Sequence, residues 1–224
     1  MNWILPPGVS TFSAEIDAIY YMILVITGIA FVVTEVALVV FLIRYRARPG
    51  RRAIYTHGST KAEIIWTAVP AVTVVIIGLL SASVWENIKG RNSVPEGAYP
   101  IGVHAQQFEW MMTYPGADGT LGTSDDFEVR NQLHVPVDQP VVVMLTAEDV
   151  IHSFFIPQFR VKQDAMPGMP QRVWFEATEP GDYELACAEL CGLGHYRMRA
   201  SVTVHTAEDY QRWMSEQAQP VALK

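Results

Sequence analysis

Hydrophobic positions along the chain fall into two regimes that meet near residue 90. Ala18 to Ile43 is apolar throughout except for Glu35, and Ile64 to Trp85 carries no charge at all. Runs of 26 and 22 residues exceed the ~20 that a helix needs to cross a hydrocarbon core of ~30 Å. They predict a transmembrane hairpin, with helices over about 18–43 and 64–85. A secretory leader is the competing reading of the first run, but the run is too long, no basic leader precedes it and no small-residue cleavage site stands before Arg44. Pro70 inside the second run requires a kink or a neighbouring helix to absorb its missing hydrogen bond.

Beyond the Gly/Asn/Ser/Pro stretch KGRNSVPEGAYP the period changes. IGVHAQQFEW, FEVRNQLHVPV, PVVVMLTA, IHSFFIP, QRVWFEAT, DYELACA and MRASVTVH read as strands, with PGADG and EPGD as turns. Seven or more short strands predict a sandwich or Greek-key barrel. TAEDYQRWMSEQ predicts a closing helix, capped by Thr206 with Asp209 in the reciprocal position. The chain thus divides into residues 1–90, a helical hairpin, and 91–224, an all-β domain.

Charge fixes the orientation. The loop RYRARPGRRAIYTHGSTK holds Arg44, Arg46, Arg48, Arg51, Arg52 and Lys61 and no acid, so it belongs on the cytoplasmic side. The β-domain then lies outside. From Arg91 onward 18 acids face 9 bases, a net of −9, whereas residues 1–90 carry +2, together the −7 of the whole chain. An acidic outer domain disfavours nucleic acid and favours a basic partner.

CAELCGLGHYRM, residues 187–198, contains both cysteines together with His195 and Met198. A Cys187–Cys191 disulfide is chemically allowed outside the cytoplasm, but leaves His195 and Met198 without a task. Zinc has little use for a thioether. Thiolate, imidazole and a weak axial methionine suit a copper electron-transfer site, although a mononuclear one needs a single cysteine. A second histidine has to come from a distant strand. His152, after an acidic turn in AEDVIHSFFIP, is the best candidate, ahead of the strand residues His104, His134 and His205, and His57 is excluded as cytoplasmic.

EDVIHSFFIP, FRVKQDAMPG and CAELCGLGHYRM, in that order after a two-helix hairpin, resemble subunit II of the haem–copper cytochrome c oxidases, from about Ile23 to Met214. The resemblance implies a cupredoxin-like Greek-key β-barrel carrying the binuclear copper A centre, in which two thiolates bridge two copper ions. His152, Cys187, Cys191, His195 and Met198 fall on that family's side-chain ligands, and Glu189 on the residue whose backbone carbonyl completes the set. The Glu189 carboxylate falls on a ligand of a magnesium or manganese ion shared with subunit I. Glu63, in EIIWTAVPA, matches an acid at the entrance of a proton pathway; by position alone it is a first-turn helix carboxylate. Glu35, a carboxylate inside an apolar run, has no counterpart role and is expected to face subunit I.

Where many members have Trp-x-Trp, this chain reads QFEW, which places Phe108 where electrons enter and Trp110 at the second position. As neighbours two apart on a strand, both are expected to lie toward the copper, with Trp110 favoured by its larger ring. Glu148 and Asp149 are the expected docking acids, with Asp125 and Asp126 behind them. The acidic turn at 116–127 places Asp118, Asp125 and Asp126 around glycines, as a calcium site would, but the spacing fits no EF-hand and a solvated loop is the expectation over calcium binding. No C-x-x-C-H occurs, so the haem donor is expected to be a separate cytochrome c and the acceptor haem to lie in subunit I.

The implied function is that of an oxidoreductase and translocase subunit in a bacterial inner (plasma) membrane, its copper domain on the periplasmic side. It takes electrons from cytochrome c for reduction of oxygen to water coupled to proton translocation, with subunit I and other oxidase subunits as partners. The alternatives are the copper subunit of a related nitric oxide reductase and a membrane-anchored copper carrier with no enzyme partner.

Overall fold

The computed structural model describes residues 4–217, so the last seven residues of the 91–224 segment and the first three of the 1–90 segment lie outside the described residues. Two compact units emerge, one made of Glu15–Trp85 and the other of Met1–Ala14 with Glu86–Lys224.

The first unit consists of the two long helices α1 (Ser13–Arg44) and α2 (Thr60–Lys89). Both are longer than their apolar runs. Nothing in the flanking sequence stops a helix, and acids in the first turn (Glu15, Glu63) and bases in the last (Arg44, Lys89) suit the helix dipole. Ser59 caps α2, its Oγ accepting from the Ala62 N–H at 3.4 Å. The central 18-residue stretch of each helix has no buried residue. Such apolar surface is stable only against lipid or other protein, and both helices are long and apolar enough to cross a membrane.

The second unit is a sandwich of two five-stranded sheets. Ten strands form, β1 (Tyr99–Gln106), β2 (Glu109–Tyr114), β3 (Phe127–Arg130), β4 (Gln132–Pro136), β5 (Pro140–Ala147), β6 (His152–Ile156), β7 (Val161–Ala165), β8 (Gln171–Glu176), β9 (Gly181–Cys187) and β10 (Arg199–His205). One sheet runs β3-β2-β1-β5-β8 and the other β4-β10-β9-β6-β7. β1 pairs with β5, and β10 with β4, in parallel, and the remaining pairs are antiparallel. The chain passes from sheet to sheet between β3 and β4, β4 and β5, β5 and β6, β7 and β8, and β8 and β9. These crossings give the sandwich expected from the turn-punctuated pattern, with the cupredoxin-like form that the family resemblance implies.

Alternate residues fill the space between the sheets, among them Ile101, Val103, Trp110, Met112, Val143, Leu145, Phe154, Leu185 and Val202, all buried. Two of the seven predicted strands prove to be pairs. The run 101–110 folds back at Gln107 and Phe108, and the run 127–137 breaks at Asn131, whose φ of 54° turns the chain from one sheet into the other. α3 (Ala207–Gln217) closes the unit as predicted. Thr206 Oγ accepts from the Asp209 N–H at 3.2 Å and donates to the Asp209 carboxylate at 2.8 Å.

Two features were invisible in the hydrophobic pattern. The segment before α1 lies on the sandwich: Val9 N–H donates to the Gln158 carbonyl at 2.9 Å, Thr178 N–H to Val9 at 3.0 Å and Ser10 Oγ to Phe159 at 2.8 Å. Val9, Ser10, Phe12 and Ser13 are buried there. Elsewhere in the unit, His134 and His205 meet across β4 and β10 with Nδ1 and Nε2 2.8 Å apart, and Trp213 of α3 stacks on His134 at 4.3 Å. Burial, with His205 beside it, pushes His134 down to about 4.

Candidate metal centre

The site lies at one end of the sandwich, where the β9–β10 connection, residues 187–198, returns over the start of β6. β6 and β9 are neighbours, with Phe154 opposite Cys187. His152, first residue of β6, is therefore carried directly beside the last residue of β9. The loop itself is wound tightly: Cys187 N–H donates to the Met198 carbonyl at 3.0 Å, His195 N–H to Gly192 at 3.1 Å and Met198 N–H to His195 at 3.1 Å. This winding ends in a single 3-10 turn over His195–Arg197. Gly192, at φ 130°, holds a conformation that L side chains rarely adopt, and a Cβ there would stand 2.6 Å from Gln107 Nε2. At Gly194 a Cβ would run into the Phe108 ring. The two glycines thus let the loop close onto the β1–β2 turn.

The donor atoms converge. Cys187 and Cys191 are free and buried, their sulfurs 3.8 Å apart, which sets aside the disulfide. His152 Nδ1 lies 3.2 Å from Met198 Sδ and 3.9 Å from Cys187 Sγ. Cys191 Sγ lies 3.7 Å from Met198 Sδ and 3.7 Å from His195 Nδ1. The Glu189 carbonyl lies 3.2 Å from Cys187 Sγ. Donors bonded tetrahedrally at ~2.0–2.3 Å from a metal are separated by about 3.3–3.8 Å, so these spacings suit metal ligation. His152 and Met198 enclose one end of the sulfur pair and His195 approaches Cys191, so the six donors suffice for two ions that share both thiolates. A soft set of two sulfurs, two imidazoles and a thioether selects copper over zinc. Burial, with Cys187 beside it, pushes the Cys191 thiol up to about 12, and a metal bound there has to displace that proton.

Family models for the periplasmic domain of cytochrome c oxidase subunit II and for its transmembrane domain match residues 102–205 and 1–84. The cytochrome c oxidase subunit 2 of Thermostichus vulcanus is 33% identical, over 94% of this chain and 77% of its own. The chain belongs to the cytochrome c oxidase subunit II family. The alternative cytochrome c oxidase subunit 2 of Bradyrhizobium diazoefficiens is 33% identical over 86% of this chain and 76% of its own. Among solved structures, the periplasmic domain of subunit II of the Bradyrhizobium japonicum cytochrome oxidase is similar at a TM-score of 0.49 and 29% identity, covering 55% of this chain and 96% of that one. The subunit II family carries the copper A centre, and the grouping of His152, Cys187 and Cys191 fits copper.

Around the subunit II donors stands a supporting layer. Asp149 accepts from His152 Nε2 at 2.8 Å, which fixes the tautomer that leaves Nδ1 free to bind a metal. The same carboxylate accepts from the backbone N–H groups of Gln107 and Val150 at 2.8 and 2.7 Å. Burial pushes the Asp149 carboxyl up, but these bonds outweigh it and hold it below the usual carboxylate range. Gln107 in turn donates its side-chain amide to the Cys191 carbonyl. Asp149, expected as a docking acid, is thus committed to His152, and Glu148 pairs with His104 at 3.3 Å while remaining 70% exposed. Asp149→Ala is expected to lower copper affinity about 10- to 100-fold, the usual effect of losing such a partner. Copper retained by the complex against a competing chelator measures it, and unchanged retention would show that His152 needs no orienting acid.

The remaining predicted residues lie at different depths. Phe108 is half-buried in the β1–β2 turn, against Gly192 and Gly194 of the ligand loop, with the Arg197 guanidinium 5.9 Å from its ring centre. Trp110 is fully buried, its ring 6.2 Å from that of His152 and 6.0 Å from that of Phe154. The Glu189 side chain is exposed. Glu63 is exposed in the first turn of α2, and Glu35 is exposed within α1. At 116–127 the acids hydrogen-bond locally, Asp118 to Thr120 N–H, Asp125 to Thr123 Oγ1 and Asp126 to Gly122 N–H.

Proposed function

We propose that this subunit receives electrons from cytochrome c on the outer face of a bacterial membrane and delivers them to haem in subunit I, where oxygen is reduced to water. The observation that carries the reading is the meeting of Cys187, Cys191, His152, His195, Met198 and the Glu189 carbonyl in one cluster, with neighbouring donors 3.2–3.9 Å apart. Cys187, Cys191, His152, His195, Met198 and the Glu189 carbonyl would hold two copper ions, which would supply a one-electron carrier that changes oxidation state with little rearrangement of these ligands.

The chain's own residues give that carrier its rigidity. Asp149 fixes the His152 ring, Gln107 braces the loop at Cys191, and Trp110 with Phe154 packs behind His152. Burial of both cysteines and Met198 excludes water from the sulfurs. Phe108, half-buried against the ligand loop, lies where the electron would pass from the donor toward the metal ligands, without itself changing oxidation state. The exposed carboxylate of Glu189, between the two cysteines in sequence, is available to a magnesium or manganese ion shared with subunit I. The helical hairpin within residues 15–85 would anchor the chain and the β-sandwich carries the metal-ligating residues; the expected boundary at 90 fails for the N-terminal segment, because Val9, Ser10 and Phe12 are buried in the sandwich.

Metal and haem analysis of the purified complex, with oxygen and nitric oxide turnover, tests the reading. Two coppers in this subunit, a seven-line electron paramagnetic resonance pattern from one electron shared over two copper nuclei, and oxygen reduction are expected. A single copper with four lines, or turnover of nitric oxide alone, would replace it. Glu63 is assigned to the entrance of a proton pathway. Glu63→Ala is expected to slow oxidase turnover roughly tenfold, ~1.4 kcal/mol on the barrier, at unchanged copper content. Wild-type turnover between acid and alkaline pH would reduce Glu63 to a helix-start carboxylate.

A further inference from the structure

The loop between the two helices holds a cavity of about 720 Å³ lined by Arg46, Arg48, Arg51, Arg52, Tyr45 and Ile54 among others. Positive charge on this side of a hairpin is accounted for by membrane orientation alone. Its gathering around one cavity is not. Arg51 is held in place from two sides, its Nη1 donating to the Arg44 carbonyl at 2.8 Å and its guanidinium lying 5.6 Å from the centre of the Tyr45 ring. No acid occurs between Glu35 and Glu63, and among the described residues Arg46, Arg48 and Arg52 have no carboxylate partner. Beside these cations stand side chains that expose large apolar surfaces, Tyr45 at 62% exposure, Ile54 at 87% and Tyr55 at 85%.

Four guanidiniums around a cavity match the oxygens of a phosphodiester, which arginine binds through paired N–H groups. A free phosphate uses only that half of the site. The adjoining rings and Ile54 match the glycerol and upper acyl region, where tyrosine is enriched at membrane interfaces. The cavity also begins one residue beyond the end of α1 at Arg44, so that, with α1 and α2 read as membrane spans, it lies at headgroup level. We infer that the 45–56 loop binds the headgroup of an anionic phospholipid on the cytoplasmic surface, with Arg46, Arg48, Arg51 and Arg52 on the phosphate and Tyr45, Ile54 and Tyr55 against the lipid body.

The test uses the assembled complex in nanodiscs of phosphatidylcholine doped with phosphatidylglycerol, with retained lipid counted by native mass spectrometry after partial delipidation. R48Q/R51Q keeps Arg44, Arg46, Arg52 and Lys61 and therefore the orientation signal, which protease access to the loop verifies. Each arginine lost should lower phosphatidylglycerol retention about fivefold, the equivalent of ~1 kcal/mol near an anionic surface, so the double variant should lose roughly 25-fold relative to wild type. I54S/Y55S should lower retention of the lipid and leave binding of inorganic phosphate unchanged. Equal phosphatidylglycerol retention in wild type and R48Q/R51Q overturns the inference. So does displacement of the lipid by an equimolar amount of inorganic phosphate, or a loop that proteolysis places on the outer side.

Discussion

Replacing Cys191 by serine is expected to leave the outer domain folded, with at most one copper, and to slow oxidation of cytochrome c by the assembled complex more than ~100-fold. Removing a partner that merely orients a metal ligand costs ~10–100-fold, and a sulfur shared by two metals has more to lose. Cys191 Sγ lies 3.8 Å from the Cys187 sulfur and 3.7 Å from both His195 Nδ1 and Met198 Sδ, so no other donor can move into its place without abandoning its own contacts. A serine hydroxyl fits the buried pocket but is neither soft nor deprotonated near neutrality. Metal analysis should show the lost copper, and the seven-line spectrum should collapse to four lines. Two coppers retained in Cys191→Ser would mean that the thiolates do not bridge.

Trp110 and Phe108 are expected to fail in opposite ways. Trp110→Ala empties a fully buried site between the sheets, where the indole packs on His152 and Phe154, and should cost ~3–5 kcal/mol of stability. Phe108→Ala removes a half-buried ring at the surface of the ligand loop, which should cost stability little but slow reduction of the copper by cytochrome c. Thermal unfolding separates the first effect and stopped-flow reduction the second. Because screening shortens electrostatic reach to ~8 Å at physiological ionic strength, a defect in docking should be altered by salt, whereas the Phe108 defect should persist at high salt. A stable Trp110→Ala protein with slow reduction would return the electron path to the tryptophan.

Both rings reach the ligand residues, Trp110 at His152 and Phe108 at Gly192 and Gly194, but by different routes. The rule that residues two apart share a face applies within a strand, and Phe108 is not in one: the run 101–110 turns at Gln107 and Phe108, leaving Trp110 in β2. The ligand loop was legible because four donors crowd into twelve residues, and the helices because their apolar runs exceed what a soluble helix needs. β7 was missed because VKQDA carries only Val161 and Ala165 as buried residues and so has almost no alternation. The bracing role of Asp149 was not legible because sequence shows its charge but not its three hydrogen bonds to His152, Gln107 and Val150. The pairing of His134 with His205 depends on the parallel neighbours β4 and β10, which lie 71 residues apart and leave no local trace.

The segment before α1 gives the outer domain a discontinuous chain. Residues 9–13 join its core some 75 residues before Glu86 resumes it, with both long helices synthesised in between. A ribosome therefore delivers the first piece of the sandwich long before the sheet edge that receives it exists. Thr11 N–H must wait for Glu176, and Val9 for Gln158 and Thr178. The sandwich is consequently completed only after the chain has been made through Thr178. A secreted fragment that begins after α2 would leave Trp174 without its partner Phe12, and the Gln158 carbonyl and Thr178 N–H without the Val9 backbone that pairs with them.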